Sequence, residues 1–325
     1  MMKVCIVGYG AIGPVHAEAV AAIDGAELYA ICDCNREVAD AAAREHQVKA
    51  FYDYNLCLKD KEIDCVHICT PHYLHFSMIT KALDAGKYVV VEKPAVMKKE
   101  EWDVLFANYD TSKVFPIVQN RTNPCVQKLK EISGDLGKLR GVKGIVTWFR
   151  DEKYYQSASW RGTWQYEGGG VLINQAIHTL DLMVYFAGAV READTMMMNS
   201  SLKGVIEVED TVVSHMTFES GAKGIFYATN GYSKNTPVQI EWDFEKAEVI
   251  YTHGRLYLNG EGICSDSDTY AGKIYWGGGH KRTLMDFYVN HSSFCLNDIR
   301  NTMDAMFQFY KSERKTVILN VDQED

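Results

Sequence analysis

No stretch of this 325-residue chain holds enough consecutive apolar residues to cross a bilayer as a helix. The N-terminus lacks the apolar core of a signal peptide: one lysine precedes a short apolar run, and glycines follow at once. Positive charge is not in excess. The formal net charge is −9, which argues against nucleic acid or an anionic membrane as the main partner. The nine cysteines are odd in number and form no paired framework. Neither C-x-x-C nor H-x-x-x-H occurs, and Cys32 with Cys34 is too sparse for a zinc site, so no metal is expected. Cys5, Cys65 and Cys69 fall in apolar strands and read as small core residues. Repeats, low-complexity tracts and long linkers are absent as well. These absences leave a protein of a reducing, cytoplasmic compartment as the expectation.

What is present is an ordinary globular composition, 47% hydrophobic and 24% charged, in a chain long enough for two domains. An apolar strand, Lys3 to Val7, runs into Gly8-Tyr9-Gly10-Ala11-Ile12-Gly13, and an Ala-rich helix follows from Pro14 to Ile23. Glycines at a strand-to-helix turn hold a dinucleotide pyrophosphate on backbone N–H groups and the positive end of a helix dipole. Gly8 permits the tight turn, Gly10 the approach of phosphate, and Gly13 close packing of helix on strand. Ala11 and Ile12 complete the expected cofactor loop. A second strand, Glu27 to Cys32, ends at Asp33, about 20 residues after Gly13. An acid there hydrogen-bonds the ribose hydroxyls of NAD and repels a 2′-phosphate, so NAD is expected over NADP. Arg36 nearby weakens that preference. The competing reading is an ordinary turn in which Asp33 caps the next helix.

Strands and helices alternate to about residue 120: a strand from Asp64 to Cys69, a helix from His75 to Ala85, a strand from Lys87 to Val91, a helix from Lys99 to Tyr109, and a strand at Val114 to Val118. This pattern predicts a doubly wound parallel sheet, an α/β Rossmann domain over 1–120. Ligands in such folds bind beyond the carboxyl ends of the strands, where Asp33, Thr70, Lys93 and Gln119 all fall. Over 121–325 the pattern changes. A helix from Pro124 to Ile132, a strand from Leu139 to Phe149 and a helix from Val171 to Phe186 precede closely spaced strands at Thr211 to Phe218, Lys223 to Thr229, Gln239 to Phe244 and Glu248 to Thr252. Helices at Thr283 to Cys295 and Asp298 to Ser312 and a strand at Thr316 to Asn320 close the chain. A second, α+β domain with a mostly antiparallel open sheet is expected.

Hydride transfer from an alcohol needs a base for the hydroxyl proton and a donor for the developing oxyanion. Lys93, at the end of a strand and followed by Pro94, suits the second task; the alternative is a surface lysine. Glu92 could orient it or pair with another cation. Asn174-x-x-x-His178-x-x-Asp181 places three polar residues on one helical face, with His178 the natural base near neutral pH. The alternative is a buried histidine satisfied by the carboxylate. Gly168-Gly169-Gly170 before that helix allows close approach of another backbone or a ligand. Trp160-Arg161-Gly162-Thr163-Trp164 could meet substrate through Arg161, with core burial the expected role of the tryptophans. His280-Lys281-Arg282 could face a substrate but reads sooner as a solvated helix start.

Val7-Gly8-x-Gly10-x-x-Gly13, Cys69-Thr70-Pro71-x-x-x-His75, Glu92-Lys93-Pro94 and Gly168-Gly169-Gly170 leading to His178-x-x-Asp181 together resemble the Gfo/Idh/MocA family of nicotinamide-dependent oxidoreductases. The resemblance implies that Lys93 contacts nicotinamide and substrate, that His178 is the acid/base, and that Asp33 binds ribose. It places Thr70, Pro71 and His75 beside the nicotinamide, with Glu92 and Lys93, and gives Asn120-Arg121 the segment that closes over it. It allows a cis Lys93–Pro94 bond. Some members have Asp where this chain has Asn174, so His178 with Lys93 must suffice, or Asp181 assists. Trp160, Arg161, Asn174 and His178 are the expected substrate contacts.

The expected activity is dehydrogenation of a ring hydroxyl of a sugar, cyclitol or sugar derivative. An NAD-dependent glycosidase and a non-catalytic NAD or sugar sensor are the alternatives. Family members commonly pair the open sheet between subunits, which implies a homodimer or homotetramer.

Overall fold

The computed structural model describes residues 1–266, 278–291, 293–311 and 313–314. Six strands form the first sheet: β1 (Met2–Val7), β2 (Ala26–Cys32), β3 (Lys49–Phe51), β4 (Cys65–Ile68), β5 (Tyr88–Val91) and β6 (Val114–Pro116). All pairings are parallel, in the order β3-β2-β1-β4-β5-β6. Val4, Cys5 and Ile6 are wholly buried, as a central strand covered on both faces requires. Helices Gly13–Ala21, Arg36–His46, His72–Asp84 and Lys99–Asn108 connect the strands. The chain reverses direction across the sheet between β1 and β4, and such a switch point opens a crevice at the strands' carboxyl ends. The sequence reading passed over β3 and the helix Tyr54–Lys59. Both are too short to carry a clear period.

The second sheet has nine strands: β7 (Leu139–Thr147), β8 (Val190–Met198), β9 (Thr211–Phe218), β10 (Lys223–Thr229), β11 (Gln239–Phe244), β12 (Glu248–Thr252), β13 (Arg255–Leu258), β14 (Glu261–Ser265) and β15 (Glu313–Arg314). The order is β14-β13-β12-β11-β7-β10-β9-β8-β15, antiparallel except for β7 with β10 and β8 with β15. Val212, Met216, Phe226 and Val146 are buried on one face, where helix Ile177–Ala187 packs on β7. Gly144 makes that contact possible: a Cβ there would lie 2.4 Å from Met183 Sδ. On the other face Met196, Val213, Tyr227 and Ile145 stand directly opposite one another across four strands. Met196 and Val213 are exposed.

Several helix readings are corrected. The helix expected from Val171 is a π turn over Leu172–Ala176 that continues as the α-helix Ile177–Ala187. The one expected from Thr283 begins earlier, as Gly279–Met285, and ends in a π turn over Asp286–Asn290. The next is a 3-10 turn, Leu296–Ile299, leading into Arg300–Lys311. The strand expected at Thr316 to Asn320 lies outside the described residues. No described helix is long and apolar enough to cross a membrane.

Candidate active site

The glycine turn joins β1 to helix Gly13–Ala21 and performs three separate tasks. Gly8 has φ of +88°, in the left-handed region. A Cβ on Gly13 would sit 2.6 Å from the Gly8 carbonyl oxygen, whereas a Cβ on Gly10 would meet nothing within 4 Å. The open space is therefore at Gly10, beside exposed Ala11 and half-buried Ile12. The helix that follows has no side-chain cap, so its first N–H groups and dipole face that space. This is a cradle for a dinucleotide phosphate, and the residues fit the group.

Asp33 stands at the end of β2. Its Oδ2 accepts from the Tyr9 N–H and its Oδ1 from the Asn35 N–H, each at 2.8 Å. Asn35, not Asp33, caps helix Arg36–His46. These two bonds fix the carboxylate beside the glycine turn and leave acceptor positions for ribose hydroxyls. Arg36 is exposed and lies over the Tyr52 ring, 4.7 Å from its centroid.

Thr70 and Pro71 follow β4, and Pro71 immediately precedes helix His72–Asp84. His75 is wholly buried. Its Nδ1 lies 2.7 Å from the Pro94 carbonyl oxygen and its Nε2 2.8 Å from that of Thr70. It ties together the two loops that end β4 and β5. The Lys93–Pro94 bond is cis.

Glu92 was expected beside the cofactor. It is buried, with Oε1 3.0 Å from His16 Nε2 and 3.1 Å from His280 Nε2. His16 Nδ1 is 3.0 Å from His67 Nδ1, and His67 Nε2 is 2.6 Å from the Tyr288 hydroxyl. One tautomer pattern satisfies every step. Tyr288 donates to His67, His67 to His16, and His16 to the Glu92 carboxylate. Burial pushes the Glu92 carboxyl up, but the histidine hydrogen bonds outweigh it and hold it well below the usual range. Burial lowers His16 and His67, consistent with neutral rings. His16, Glu92 and His280 are also close enough to share an ion, but hydrogen bonding accounts for their spacing. The reading of His280 as part of a solvated helix start is corrected: it is 3% exposed, because Glu92 supplies its acceptor.

Lys93 turns away from Glu92. Its Nζ donates to the main-chain oxygen of Asn174 at 2.8 Å and to Asn174 Oδ1 at 2.9 Å. Asn174 lies in the π turn, an insertion often found at functional sites. Burial lowers the Lys93 ammonium below its ordinary value, against the opposing pull of Glu92 and Glu167. His178 Nε2 lies 3.4 Å from Gln119 Nε2. With that amide nitrogen as donor, His178 Nε2 carries a lone pair and no proton. Burial and the Lys93 charge bring His178 down to about 4. Lys93 and His178 line one small cavity with Pro94, Ile117, Ile177 and Asp181.

The expected triplet on one helical face does not act as a unit. Asn174 meets Lys93, His178 meets Gln119, and Asp181 meets Arg121, whose Nε and Nη2 donate to its two oxygens. Arg121 is 2% exposed and its guanidinium is turned inward onto Asp181. Asn120 is half-buried in the turn Gln119–Thr122.

In the 160–164 loop, Trp164 is 45% exposed and Trp160 half-buried, a correction to their expected place in the core. Arg161 stacks on the rings of Tyr154 and Trp160, 4.2 and 4.9 Å from their centroids. Sequence reasoning missed Glu167, a buried carboxylate that accepts from Asn174 Nδ2. It also missed Asn230, which donates to Gln175 Oε1 and to the Tyr155 hydroxyl, each at 3.0 Å. The glycine run is confirmed as a packing device, since a Cβ on Gly170 would lie 1.8 Å from the Glu209 carbonyl oxygen.

Residues 2–119 match the family model described as oxidoreductase family, NAD-binding Rossmann fold, and residues 126–257 match the GFO/IDH/MocA C-terminal domain. Levoglucosan dehydrogenase of Pseudarthrobacter phenanthrenivorans is 25% identical over 291 residues, 78% of this chain and 74% of that protein. The scyllo-inositol 2-dehydrogenase (NAD(+)) of Bacillus subtilis is 28% identical over 268 residues, 79% of this chain and 73% of its own. Among solved structures, the WlbA dehydrogenase from Bordetella pertussis, in complex with NADH and UDP-GlcNAcA, matches with a TM-score of 0.84 at 26% identity, over 96% of this chain and 95% of that one.

Proposed function

The chain belongs to the GFO/IDH/MocA family of oxidoreductases with an NAD-binding Rossmann fold, and from that premise we propose that it oxidises a ring hydroxyl of a sugar, cyclitol or sugar derivative. The observation that carries the reading is the meeting of Lys93 and His178 in one cavity beyond the carboxyl ends of the parallel strands. Two of its relatives, levoglucosan dehydrogenase and scyllo-inositol 2-dehydrogenase (NAD(+)), are named for substrates of this class.

Gly8, Gly10, Ala11, Ile12 and Gly13 hold the pyrophosphate, and Asp33 takes the ribose hydroxyls. The Asp33 charge repels a 2′-phosphate, so NAD is the cofactor; Arg36 is already engaged on Tyr52. Bound NAD supplies a nicotinamide carbon that accepts hydride. The protein's own residues do the rest. Lys93 spends two of its three donors on Asn174 and points the third at the substrate oxygen, where it stabilises the charge that develops as the proton leaves. The substrate hydroxyl replaces the Gln119 amide at His178 Nε2, which takes its proton. Thr70, Pro71 and Asn120 border the nicotinamide, while His75 and Glu92 hold the loops that carry Pro94 and Lys93. Arg161 and Trp160, with Asn174, face the substrate's far side.

Residues 1–120 form the dinucleotide-binding unit and 121–325 the unit for substrate and self-association. The stripe of Met196, Val213, Tyr227 and Ile145, on a sheet face that no helix covers among the described residues, supports a homodimer or homotetramer. Nine free thiols fit a reducing, cytoplasmic setting. NADH formation with a panel of sugars, cyclitols and sugar nucleotides tests the function; no turnover with any of them, at saturating NAD, would sink it.

A further inference from the structure

Glu167 lies behind the proposed active site, 1% exposed, between the 160–164 loop and the glycine run. Its Oε1 accepts from Asn174 Nδ2, and its Oε2 accepts from the main-chain N–H of Gly162 at 2.5 Å. Gly162 has φ of +72°, and a Cβ on it would lie 2.6 Å from Ile206 Cγ2, so this N–H is held by a turn only glycine fits. The Asn174 amide has one donor end and one acceptor end. With Nδ2 committed to Glu167, Oδ1 must face Lys93, where it lies 2.9 Å from Nζ.

We infer that Glu167 is a positioning residue for the reaction: its two acceptor oxygens lock the Asn174 amide with Oδ1 toward Lys93, and so aim the Lys93 ammonium at the substrate oxygen. The inference rests on the reading of Lys93 given above. Its logic is a count of donors and acceptors. Gly162 and Asn174 both present N–H groups, and only a carboxylate offers two acceptors. In Glu167→Gln one of these donors faces an NH2 group. The relief available is rotation of Asn174, which turns Nδ2 toward an ammonium that has no lone pair to receive it. Asn174→Asp fails in the opposite sense, by setting two carboxylates face to face with no donor between them.

The two changes made together restore every bond. The new glutamine accepts from Gly162 and donates to the new aspartate, whose other oxygen accepts from Lys93. The charge is conserved and moved one residue nearer the lysine. Arg161, Lys93, His72, Tyr155 and Tyr310 are the charged and titratable groups around Glu167. Around Lys93 they are Glu92, Glu167, Arg161, His72, His75 and His178.

The test follows the Lys93 Cε resonance with pH in lysine-labelled full-length protein, assigned with Lys93→Met, alongside kcat. In Glu167→Gln the Lys93 titration moves down, because a negative neighbour is lost, and kcat falls tenfold or more. In Glu167→Gln/Asn174→Asp the titration returns to or above the wild-type midpoint and kcat recovers to within a few-fold. An unchanged Lys93 titration in Glu167→Gln, or a double variant worse than either single one, would overturn the inference. If Glu167→Gln does not fold, the double variant decides: a wild-type-like Lys93 titration supports the inference and a lowered one rejects it. The titration needs no substrate, so it stands even if the panel shows no turnover and the proposed activity itself fails.

Discussion

Asp181 gives both carboxylate oxygens to Arg121, at 2.8 Å to Nε and 2.6 Å to Nη2, one helical turn beyond the histidine it was expected to serve. Thr302 donates to the same carboxylate at 2.7 Å, and Arg121 also donates to the Asp298 carbonyl at 3.0 Å. The pair thus ties together the turn Gln119–Thr122, helix Ile177–Ala187 and helix Arg300–Lys311. Asp181→Asn leaves a buried guanidinium uncompensated and should cost about 3–5 kcal/mol of stability. Urea denaturation measures it; a loss below about 1 kcal/mol, the range of an exposed pair, would contradict a structural role.

Lys93→Met removes the donor to the substrate oxygen without touching the glycine turn. Turnover should fall by about 10²–10³ or more, the range for loss of one oxyanion donor, while NAD binding by calorimetry stays within a few-fold. Unchanged kcat would remove Lys93 from the mechanism.

Asp33→Ala deletes the ribose acceptor and the partner of the Tyr9 and Asn35 N–H groups. Hydrogen bonds to a charged group are each worth about 1.5–3 kcal/mol, so the NAD Kd should rise roughly 10–100-fold. NADP should lose less, or gain, since the charge that repels its phosphate is gone. An equal loss for both cofactors would show that Asp33 does not discriminate between them.

His178 must be unprotonated to act as base, and burial with the Lys93 charge places it at about 4. The kcat/KM profile should therefore be flat through neutral pH and fall only on approach to that value; an acid limb near 6.5, the ordinary histidine value, would contradict it. Stability follows the same sign. The unfolded chain takes up this proton first as pH falls from 6.5, so stability is lost between 6.5 and about 4. His178→Asn should flatten that part of the urea-midpoint profile.

Val213→Glu sets a charge in the middle of the apolar stripe that holds exposed Met196 and Val213. Light scattering at micromolar concentration should show an oligomer for the native chain and a monomer for the variant. A native monomer would refute self-association through this face.

The cofactor half was legible because its signals are local. Gly8, Gly10 and Gly13 serve one turn, and Asp33 ends the neighbouring strand, so spacing alone places them together. Lys93 was legible for the same reason, as a strand end held by Pro94. The partners of the helix at Asn174, His178 and Asp181 were not. They come from distant segments, Lys93 from the end of β5 and both Gln119 and Arg121 from the turn Gln119–Thr122, and the π turn breaks the even spacing that would set the three on one stripe. Glu167 was missed because no local motif marks it, and only folding brings the Gly162 and Asn174 donors around it. His280 looked solvated because its acceptor, Glu92, is 188 residues away.

The most direct test of the central claim is direct hydride transfer. The protein is incubated with NAD and ring-deuterated members of the sugar and cyclitol panel, and the nicotinamide product is read by NMR. The account predicts deuterium at the nicotinamide carbon for at least one substrate, with net NADH formed and none in Lys93→Met. Tight NAD binding without deuterium transfer to it from any panel member would contradict the account and leave a sensor. Release of free sugar from a glycoside with no net NADH would contradict it in favour of a glycosidase.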